Sequence, residues 1–523
     1  MQRLSAFGSL AAVALFLASC TPAPGLNVTL SSTSQTLIRG ESTTLDVTIT
    51  RSGSITGDVT LGVAGLPAGV VAAFADDTLN AGENTTTLTI DVTPAAIDGS
   101  VTLTVNAVAA GLADSATFDL EVTSLTVDGQ VVDLLGNGLT GVQVAIQGTT
   151  DTSDADGNFS IGGVAVPYDL ATFYAGTQPV AHVFVGMTAA DPVVLPYGAL
   201  IATMLPTGTI DGNLSAPVPA GETARVCAAG LAIEVIGCDT VVAGNTAYSI
   251  NATWATGNSV SIRLHALVGE YDAEGRPVGY SAYGTADGSV ADGGAATIDV
   301  ALGGAPSTTT LAASMNRPAG LDPDQIAVGA RLSDLATMPL FAFSGAVDGF
   351  AAVPVPTFGG VSYGVYAVSR SPSGVASSHG WKFGVSGGTT TTIDLPTPPS
   401  VISPADGATG IGVGDTLTIG GGSTGANTFL ANPALSDLAI GITTMGTSAD
   451  LPDLSDFGVS LPSSTVYTWS VIVTPGLATV EEAGAAWIGT YYDVVLALQD
   501  GGGASPTGSG SIMATESREF TTP

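Results

Sequence analysis

A chain of 523 residues is too long for one hydrophobic core, and a usual domain size of about 100–150 residues predicts four or five domains. Hydrophobic residues make up 45% of the chain and charged residues 11%, which excludes the composition of a disordered protein. The 45 acidic and 11 basic side chains give a formal charge of −34, which disfavours nucleic acid and anionic lipid headgroups as partners. Three histidines and one lysine, Lys382, leave few groups for general-base or Schiff-base chemistry.

The N-terminal residues have the pattern of an export signal. Arg3 precedes an apolar run at residues 10–17, which is shorter than the ~20 residues that span a bilayer. The run ends in Leu17-Ala18-Ser19-Cys20, which resembles the lipobox of bacterial lipoproteins. The resemblance implies that residues 1–19 are removed and that Cys20 is acylated, with each buried methylene contributing about 0.8 kcal/mol. A plain secretory peptide with a chance cysteine is the alternative.

The same resemblance has consequences for location and for the other cysteines. Thr21 stands where an aspartate would favour inner-membrane retention, so an outer-membrane or cell-surface location is implied. Oxidation is permitted there, and we predict a disulfide between Cys227 and Cys238. Gly230 lies between strand-like runs, so the two cysteines could face each other across a short hairpin, which would stabilise by about 3 kcal/mol. Two reduced, buried thiols are the alternative.

After a short tether, apolar and polar residues alternate with a period of two. Residues 44–50 place Leu45, Val47 and Ile49 on one face and polar side chains on the other. About seven such runs occur before residue 124, which suits an immunoglobulin-like (Ig-like) sandwich. Residues 65–70, with Phe74, resemble a signature of bacterial Ig-like surface domains. The segment contains neither Cys nor Trp, so its core is predicted to be aliphatic.

The pattern changes at about residue 125. The stretches 127–133, 141–146 and 154–161 resemble the carboxypeptidase regulatory-like domain, a small transthyretin-like sandwich. The turn at Asp156-Gly157 supplies the positive φ that a tight hairpin needs. The resemblance implies a structural domain that is not itself a peptidase.

Later segments repeat parts of this pattern. Residues 209–214 and 244–250 echo its opening and its middle, which predicts a second transthyretin-like sandwich. A third block, centred on residues 361–368, has a weaker opening, and its type stays open. The stretches 403–409, 467–471 and 519–522 resemble landmarks of fibronectin type III-like bacterial domains. Between residues 430 and 452 the pattern is irregular and predicts no definite strands.

The predicted fold class is therefore all-β, with tandem β-sandwich domains, Ig-like and transthyretin-like, after a lipoprotein signal peptide. The predicted segments are the signal peptide 1–19, a lipidated tether 20–25, an Ig-like sandwich 26–123, a carboxypeptidase regulatory-like sandwich 124–198, a second transthyretin-like sandwich 199–303, a sandwich of uncertain type 304–396, and a fibronectin type III-like domain 397–523.

Two strings, at residues 360–364 and 421–425, match the G-x-S-x-G nucleophile elbow. With 69 glycines in the chain such matches arise by chance, and neither lies between a strand and a helix. A catalytic triad would need His182, His265 or His379, which lack characteristic neighbours. We interpret them as surface or packing histidines and predict no catalytic residue.

Acidic turns are the candidates for metal binding. Asp151, Asp154, Asp156 and Asn158 could present oxygen ligands to calcium, but a calcium loop aligned on Gly157 lacks two ligand positions. A second acidic stretch, 270–281, ends in serine where a glutamate is needed, and a third, 450–456, has no ligand spacing. We interpret these stretches as solvated turns and predict no metal site.

Aromatic side chains are the candidates for carbohydrate recognition, which uses exposed platforms. The candidates are Trp254, Trp381, Trp469, Trp487, Tyr491 and Tyr492. Trp469 shares a strand face with Tyr467 and is predicted to be a core residue, and neighbouring tyrosines point to opposite faces of a strand. No aromatic stripe emerges.

These observations predict a non-catalytic, lipid-anchored protein of the cell envelope or surface that displays its sandwiches for adhesion or for binding a protein or glycan. The acyl chains on Cys20 contact the membrane, and no cofactor or nucleic-acid partner is predicted. Two alternatives stay open: a polysaccharide-binding accessory lipoprotein, and an envelope hydrolase with an unlocated acidic site in residues 304–523.

Overall fold

The computed structural model has an all-β architecture of tandem β-sandwiches, which confirms the predicted fold class. The chain divides into two compact units, Met1–Leu125 and Thr126–Pro523. The structure describes residues 23–53, 55–133, 136–176, 178–196, 205–254, 256–333, 336–344, 347–358, 361–421, 424–433, 437–484 and 508–523. The predicted signal peptide and Cys20 lie outside these residues, and the predicted domain limits stay predictions. None of the helical segments within the described ranges is long and apolar enough to cross a bilayer.

The first unit holds the first sandwich. Its strands are β1 (Gly25–Leu30), β2 (Ser34–Ile38), β3 (Ser42–Ser52), β4 (Val59–Ala64), β5 (Val70–Phe74), β6 (Thr78–Leu79), β7 (Thr85–Val92), β8 (Gly99–Ala109) and β9 (Leu112–Thr123). They form sheets in the orders β1-β3-β7-β5 and β2-β9-β8-β4-β6, with β2 parallel to β9. This two-sheet arrangement is that of Ig-like sandwiches. Leu45, Val47 and Ile49 are buried as predicted, in a core of aliphatic side chains and Phe118.

The second sandwich opens the second unit. Its strands are β10 (Leu125–Val131), β11 (Gln143–Ile146), β12 (Thr149–Thr152), β13 (Asn158–Val164), β14 (Tyr168–Ala175), β15 (Pro179–Met187) and β16 (Val193–Val194). They form sheets in the orders β13-β10-β16 and β12-β11-β14-β15. The first strand lies in the middle of its sheet and runs parallel to the last strand.

The third and fourth sandwiches repeat this topology. The third consists of β17 (Thr207–Asn213), β18 (Glu222–Gly230), β19 (Val235–Ile236), β20 (Cys238–Val242), β21 (Ala247–Trp254), β22 (Ser259–Tyr271), β23 (Pro277–Ala291) and β24 (Ala295–Thr297). The fourth consists of β25 (Ser307–Asn316), β26 (Asp322–Ser333), β27 (Ala336–Ser344), β28 (Gly349–Thr357), β29 (Ser362–Arg370), β30 (Ser377–Val385) and β31 (Thr389–Asp394).

Three consecutive sandwiches of the described chain therefore share one strand path. The third has sheets β19-β21-β17-β24 and β20-β18-β22-β23, and the fourth has β28-β25-β31 and β27-β26-β29-β30. In each, the opening strand is parallel to the closing strand, β17 to β24 and β25 to β31. Within the described residues, β19 of the third sandwich is the one strand without a counterpart in the second and fourth. The block whose type the sequence left open thus has the same strand order as the two sandwiches before it.

The fifth sandwich follows a different path. Its elements are β32 (Ser400–Ser403), β33 (Ala408–Thr409), β34 (Thr416–Gly420), β35 (Gly425–Pro433), β36 (Ala439–Thr444), β37 (Ser448–Asp450), a 3-10 turn (Ser455–Phe457), β38 (Val466–Pro475), β39 (Ser509–Ala514) and β40 (Arg518–Thr521). One sheet has the order β32-β34-β37. The other contains β36, β35 and β38, with β39 and β40 both paired to β38.

The second, fourth and fifth sandwiches share one continuous hydrogen-bonded sheet. Within the described residues it has 14 strands and runs from β12 to β27. Strand β15 of the second sandwich pairs in parallel with β36 of the fifth, and β30 of the fourth pairs antiparallel with β39 of the fifth. The fifth sandwich therefore lies between the other two within the sheet. Every residue of Ala439–Thr444 is buried, so β36 shows no alternation, which explains the irregular pattern around residues 430–452.

Candidate functional site

A disulfide bond joins Cys227 to Cys238, as predicted. The two residues are direct neighbours across the antiparallel pair β18 and β20. Cys227 is 1% exposed and belongs to the same packed cluster as Met338 and Leu340 of the fourth sandwich. The bond therefore lies beside the contact between the third and fourth sandwiches, in the sheet β20-β18-β22-β23 of the third.

The three histidines, predicted to be either surface or packing residues, are all buried. His182, His265 and His379 have exposures of 0%, 9% and 6%. Burial lowers the pKa of His182 from 6.5 to about 3. Burial, with smaller contributions from nearby charges, lowers the pKa of His265 and of His379 to about 4. Each imidazole is therefore neutral at physiological pH and shielded from solvent.

One of them takes part in a hydrogen-bonded chain that has the form of a catalytic relay. Nε2 of His379 lies 2.9 Å from Oγ of Ser377, and its Nδ1 lies 2.6 Å from the hydroxyl of Tyr366. Ser377 and His379 are two residues apart on one strand, so their side chains share a face. However, Ser377 is 4% and Tyr366 1% exposed, which leaves a substrate no access to the hydroxyl. These hydrogen bonds satisfy buried polar atoms, and no signal in the sequence predicts them.

The two G-x-S-x-G strings have no elbow geometry in the described residues. Ser362 and Gly364 of the first string lie in β29, a regular strand in the middle of the shared sheet. Residues 422 and 423 of the second string lie outside the described part. A nucleophile elbow needs a sharp turn from a strand into a helix, which β29 does not make.

The acidic turn at residues 151–160 is closed by its own hydrogen bonds. Oδ1 of Asp154 accepts from the backbone N–H groups of Asp156 and Asn158, at 2.9 and 2.8 Å. These bonds, above all the one from Asn158, hold the pKa of Asp154 below its usual value. Oδ2 of Asp151 accepts from Ser160 N–H at 2.8 Å. Gly157 has the predicted positive φ, 82°. The carboxylates act here as turn acceptors.

The second acidic stretch contains its own counter-charge. Arg276 lies 3.0 Å from Asp272 and 3.1 Å from Glu274, and its guanidinium stacks 5.5 Å from the ring of Phe343 in the fourth sandwich. The backbone N–H of Arg276, together with its charge, lowers the pKa of Asp272. Across the described ranges, no three His, Cys, Asp or Glu side chains converge as a metal site would require.

The described tryptophans are core residues. Trp254, Trp381 and Trp469 are 1%, 7% and 0% exposed. Trp469 lies in the core of the fifth sandwich with Tyr467, as predicted, and Tyr467 stacks on Phe520 at 5.3 Å. These three indoles therefore offer no platform to a carbohydrate ring. Trp487, Tyr491 and Tyr492 lie outside the described residues.

An open cleft of about 510 Å³ lies where the fourth and fifth sandwiches meet. Its apolar lining includes Pro318, Leu321 and Pro399, and Glu516 and Arg518 supply charges of both signs. Nη1 of Arg518 donates to backbone carbonyls at 2.9 and 3.2 Å, and Glu516 accepts from the hydroxyl of Ser373 in the fourth sandwich at 2.9 Å. Glu516 therefore links the fifth sandwich to the fourth at this cleft, whereas the carbonyls that Arg518 binds, those of Ile402 and Pro404, belong to the fifth sandwich itself.

A further junction links the second and fifth sandwiches beside the shared strands. Residues 480–484 are helical, and Glu481 accepts hydrogen bonds from the backbone N–H groups of Thr188 and Ala189. The ring of Phe173 stacks on Phe457 at 5.7 Å. Sequence reasoning missed these contacts. The one available signal was the run of apolar and small residues in β29, β35 and β36, which is typical of strands buried on both faces.

No protein-family model matches this chain, and no curated protein does. Among solved structures, domains 4 and 5 of the S-layer protein SbsC are 18% identical, with a TM-score of 0.16 over 19% of this chain and 53% of that one. The Bacillus anthracis TIE protein is 7% identical, with a TM-score of 0.22 over 71% of this chain and 75% of that one. SbsC domains 4–9 are 12% identical, with a TM-score of 0.16 over 86% and 63%. The chain thus spans about half of the first structure, and these likenesses imply no shared function.

Proposed function

We propose that this chain is a lipid-anchored, non-catalytic protein of the bacterial cell envelope that presents tandem β-sandwiches at the outer membrane or cell surface. The observation that carries the proposal is the sequence Leu17-Ala18-Ser19-Cys20 after a short apolar run. Signal cleavage there makes Cys20 the first residue of the mature protein. Acyl chains on a cysteine hold a protein at a membrane because each buried methylene adds about 0.8 kcal/mol.

The state of the other cysteines supports export. Cys227 and Cys238 are disulfide-bonded, and such bonds persist in oxidising compartments outside the cytoplasm. The disulfide lies in a small sandwich about a hundred residues long, where a cross-link adds to a limited hydrophobic core.

The burial of the histidines leaves the chain without an accessible imidazole for general-base chemistry. All three imidazoles of the chain are at most 9% exposed. The chain has one lysine, Lys382, so carboxylates are its main exposed ionisable groups. A general base near neutral pH would need a carboxylate with a raised pKa, and the resolved carboxylate shifts in the described residues are all downward.

The repeated strand path supports a particular domain composition. Residues 124–198 resemble a carboxypeptidase regulatory-like domain, and the next two sandwiches have the same strand order. We propose that all three are transthyretin-like modules, preceded by an Ig-like module and followed by a fibronectin type III-like one. Such modules bind through loops and sheet faces on a rigid scaffold. The mature charge of −34 − 1 = −35, after loss of Arg3, favours neutral or basic protein or glycan partners and keeps copies apart.

Metabolic labelling with radioactive palmitate tests the anchor. Wild-type protein should take up label, and Cys20→Ala should take up none, because the thiol is the acceptor. The matched control is the double variant Cys227→Ala with Cys238→Ala, which should be labelled like wild type. Equal labelling of wild type and Cys20→Ala, or no labelling of wild type, would contradict the proposal.

Protease treatment of intact cells tests the location. A surface protein should be cut by added trypsin, whereas a protein facing the periplasm should be cut only after the outer membrane is permeabilised. If trypsin cuts the protein only after permeabilisation, the protein faces the periplasm and the proposed cell-surface location is wrong. Recovery of the wild-type protein in the soluble fraction would refute membrane anchoring altogether.

A further inference from the structure

The three histidines of the chain lie at three contacts between sandwiches of the second unit. His182 lies where the second sandwich meets the fifth, His379 where the fourth meets the fifth, and His265 where the third meets the fourth. Histidine is the side chain whose charge changes most readily between pH 5 and 8. Every histidine of the chain therefore lies at or beside such a contact.

His182 bridges the parallel strands of the shared sheet. It lies in β15, and its Nε2 is 2.9 Å from Oγ1 of Thr443 in β36 of the fifth sandwich. Thr443 is in turn 2.9 Å from Thr428 in β35, and the ring of His182 stacks on Phe184 at 4.2 Å. From β14, Thr172 donates to the His182 carbonyl. These neighbours are uncharged, and burial lowers the pKa of the imidazole.

His379 lies beside the antiparallel strands of the shared sheet. It occupies β30 directly opposite Ile512 of β39 in the fifth sandwich. Tyr366 of β29 and Ser377 of its own strand bind the two ring nitrogens. The charged groups nearby are Arg370 of β29 and Asp324 of β26, which pair with each other at 2.7 Å. Their charges largely cancel, so they do not stabilise an imidazolium.

His265 lies on the outer side of the third sandwich. Its Nδ1 is 2.7 Å from the hydroxyl of Tyr283 in β23, and Tyr283 stacks on Phe358 of the fourth sandwich at 4.3 Å. Cys227 of β18 is its direct neighbour across the sheet. The charged groups facing it are Arg263 of its own strand and Asp287 of β23, which are paired at 2.6 Å.

We propose that these three junctions form an acid-sensitive coupling, in which protonation of a buried imidazole favours separation of two packed sandwiches while each sandwich stays folded. Separation opens the side of the imidazole that faces the other sandwich to water and so relieves part of the desolvation of its charged form. Partner surfaces such as the edges of β15, β30, β36 and β39 become available when the sheet opens.

The size and sign of the effect follow from linkage. The pKa of His265 and of His379 is about 4 in the packed state and 6.5 is the usual value, so packing is fully stable above pH 6.5 and weakens as the pH falls towards 4. If the pKa recovers fully to 6.5 on separation, the separated form gains about thirtyfold at pH 5 relative to pH 7.5, which is the upper limit for each junction. Most carboxylates remain ionised at pH 5 and therefore contribute little to this change.

Hydrogen exchange of the full mature protein, corrected for the intrinsic rate, measures the opening of each junction. Peptides that cover β36 and β39 should lose protection by up to about thirtyfold between pH 7.5 and pH 5, whereas peptides from the first sandwich, which contains no histidine, should keep theirs. His182→Gln should abolish the acid response of β36 but leave that of β39. His379→Gln should do the reverse, so each variant is the control for the other.

Two results would overturn the proposal. One is unchanged protection of β36 and β39 in the wild type at pH 5. The other is an acid response that persists in a protein carrying both glutamine substitutions, which would assign it to carboxylates. Should a variant fail to fold, an NMR titration of the wild-type imidazoles decides: the ring signals should start to titrate only when the junction amides lose protection, and titration near pH 6.5 in a closed junction would refute the coupling.

Discussion

Reduction of the disulfide should destabilise the third sandwich by a predictable amount. Cys227 and Cys238 are 11 residues apart, so the bond closes a loop of about 12 residues. In the chain-entropy model, breaking the bond raises the entropy of the unfolded chain and so lowers the free energy of unfolding by about 3 kcal/mol at 25 °C. With a denaturant slope of about 1–3 kcal/mol/M for a small domain, the urea midpoint of this sandwich should fall by roughly 1–3 M.

Pulsed hydrogen exchange along a urea series would follow this transition through peptides that cover β18 and β22. Reduced wild-type protein keeps both sulfur atoms, so it separates loss of the cross-link from loss of side-chain volume. The urea midpoint of the double variant Cys227→Ala with Cys238→Ala should fall at least as far as that of the reduced protein, because Cys227 is buried in a packed cluster and its side-chain volume is also lost. The first sandwich should keep its midpoint, since it contains no cysteine. Equal midpoints for β18 in oxidised and reduced protein would refute the reasoning.

Three further outcomes are expected. Trp469→Ala should lower the free energy of unfolding of the fifth sandwich by about 3–5 kcal/mol, measured by urea unfolding, because the indole is 0% exposed. The control is Tyr174→Ala, at a residue 41% exposed, which should change stability by less than about 1 kcal/mol. Glu481→Ala should increase hydrogen exchange at Thr188, because the carboxylate that accepts its N–H is lost, and an unchanged rate would disprove that contact. The Asp154 carboxyl should titrate below its usual pKa of 3.8 in an NMR pH series. Because the folded state lowers this pKa, the carboxylate should stabilise the fold above pH 3.8. That contribution should disappear as the pH falls through the lowered value.

The shared sheet changes how the second unit should be understood. Domains that follow one another in sequence are expected to pack, if at all, against their neighbours in the chain. Here the fifth sandwich pairs its strands with the second and the fourth, and the second is separated from it in sequence by the whole of the third and fourth sandwiches. Both edges of β36 are hydrogen-bonded, one to β35 of its own sandwich and the other to β15 of the second sandwich. We therefore expect the second, fourth and fifth sandwiches to lose stability together when one of them is removed.

Local features of the fold were predictable from the sequence alone. Leu45, Val47 and Ile49 alternate with polar residues, and a strand with one buried face needs no more information than that. Gly157 marks a turn because a positive φ costs glycine little. Trp469 and Tyr467 share a strand face and the same core. The pairing of Cys227 with Cys238 could be predicted because they are the two cysteines besides Cys20 and a hairpin around Gly230 lets them face each other.

Only the tertiary structure decided which strands of different sandwiches pair. Periodicity reports how many faces of a strand are buried but carries no information about its partner, so the neighbours β15 and β36 could not be inferred. Strands buried on both faces, such as Ala439–Thr444, do not even show the alternation. The burial of His182, His265 and His379 follows from the same cause. Their neighbours come from distant parts of the chain, and desolvation by those neighbours, which is absent from any local pattern, determines their pKa.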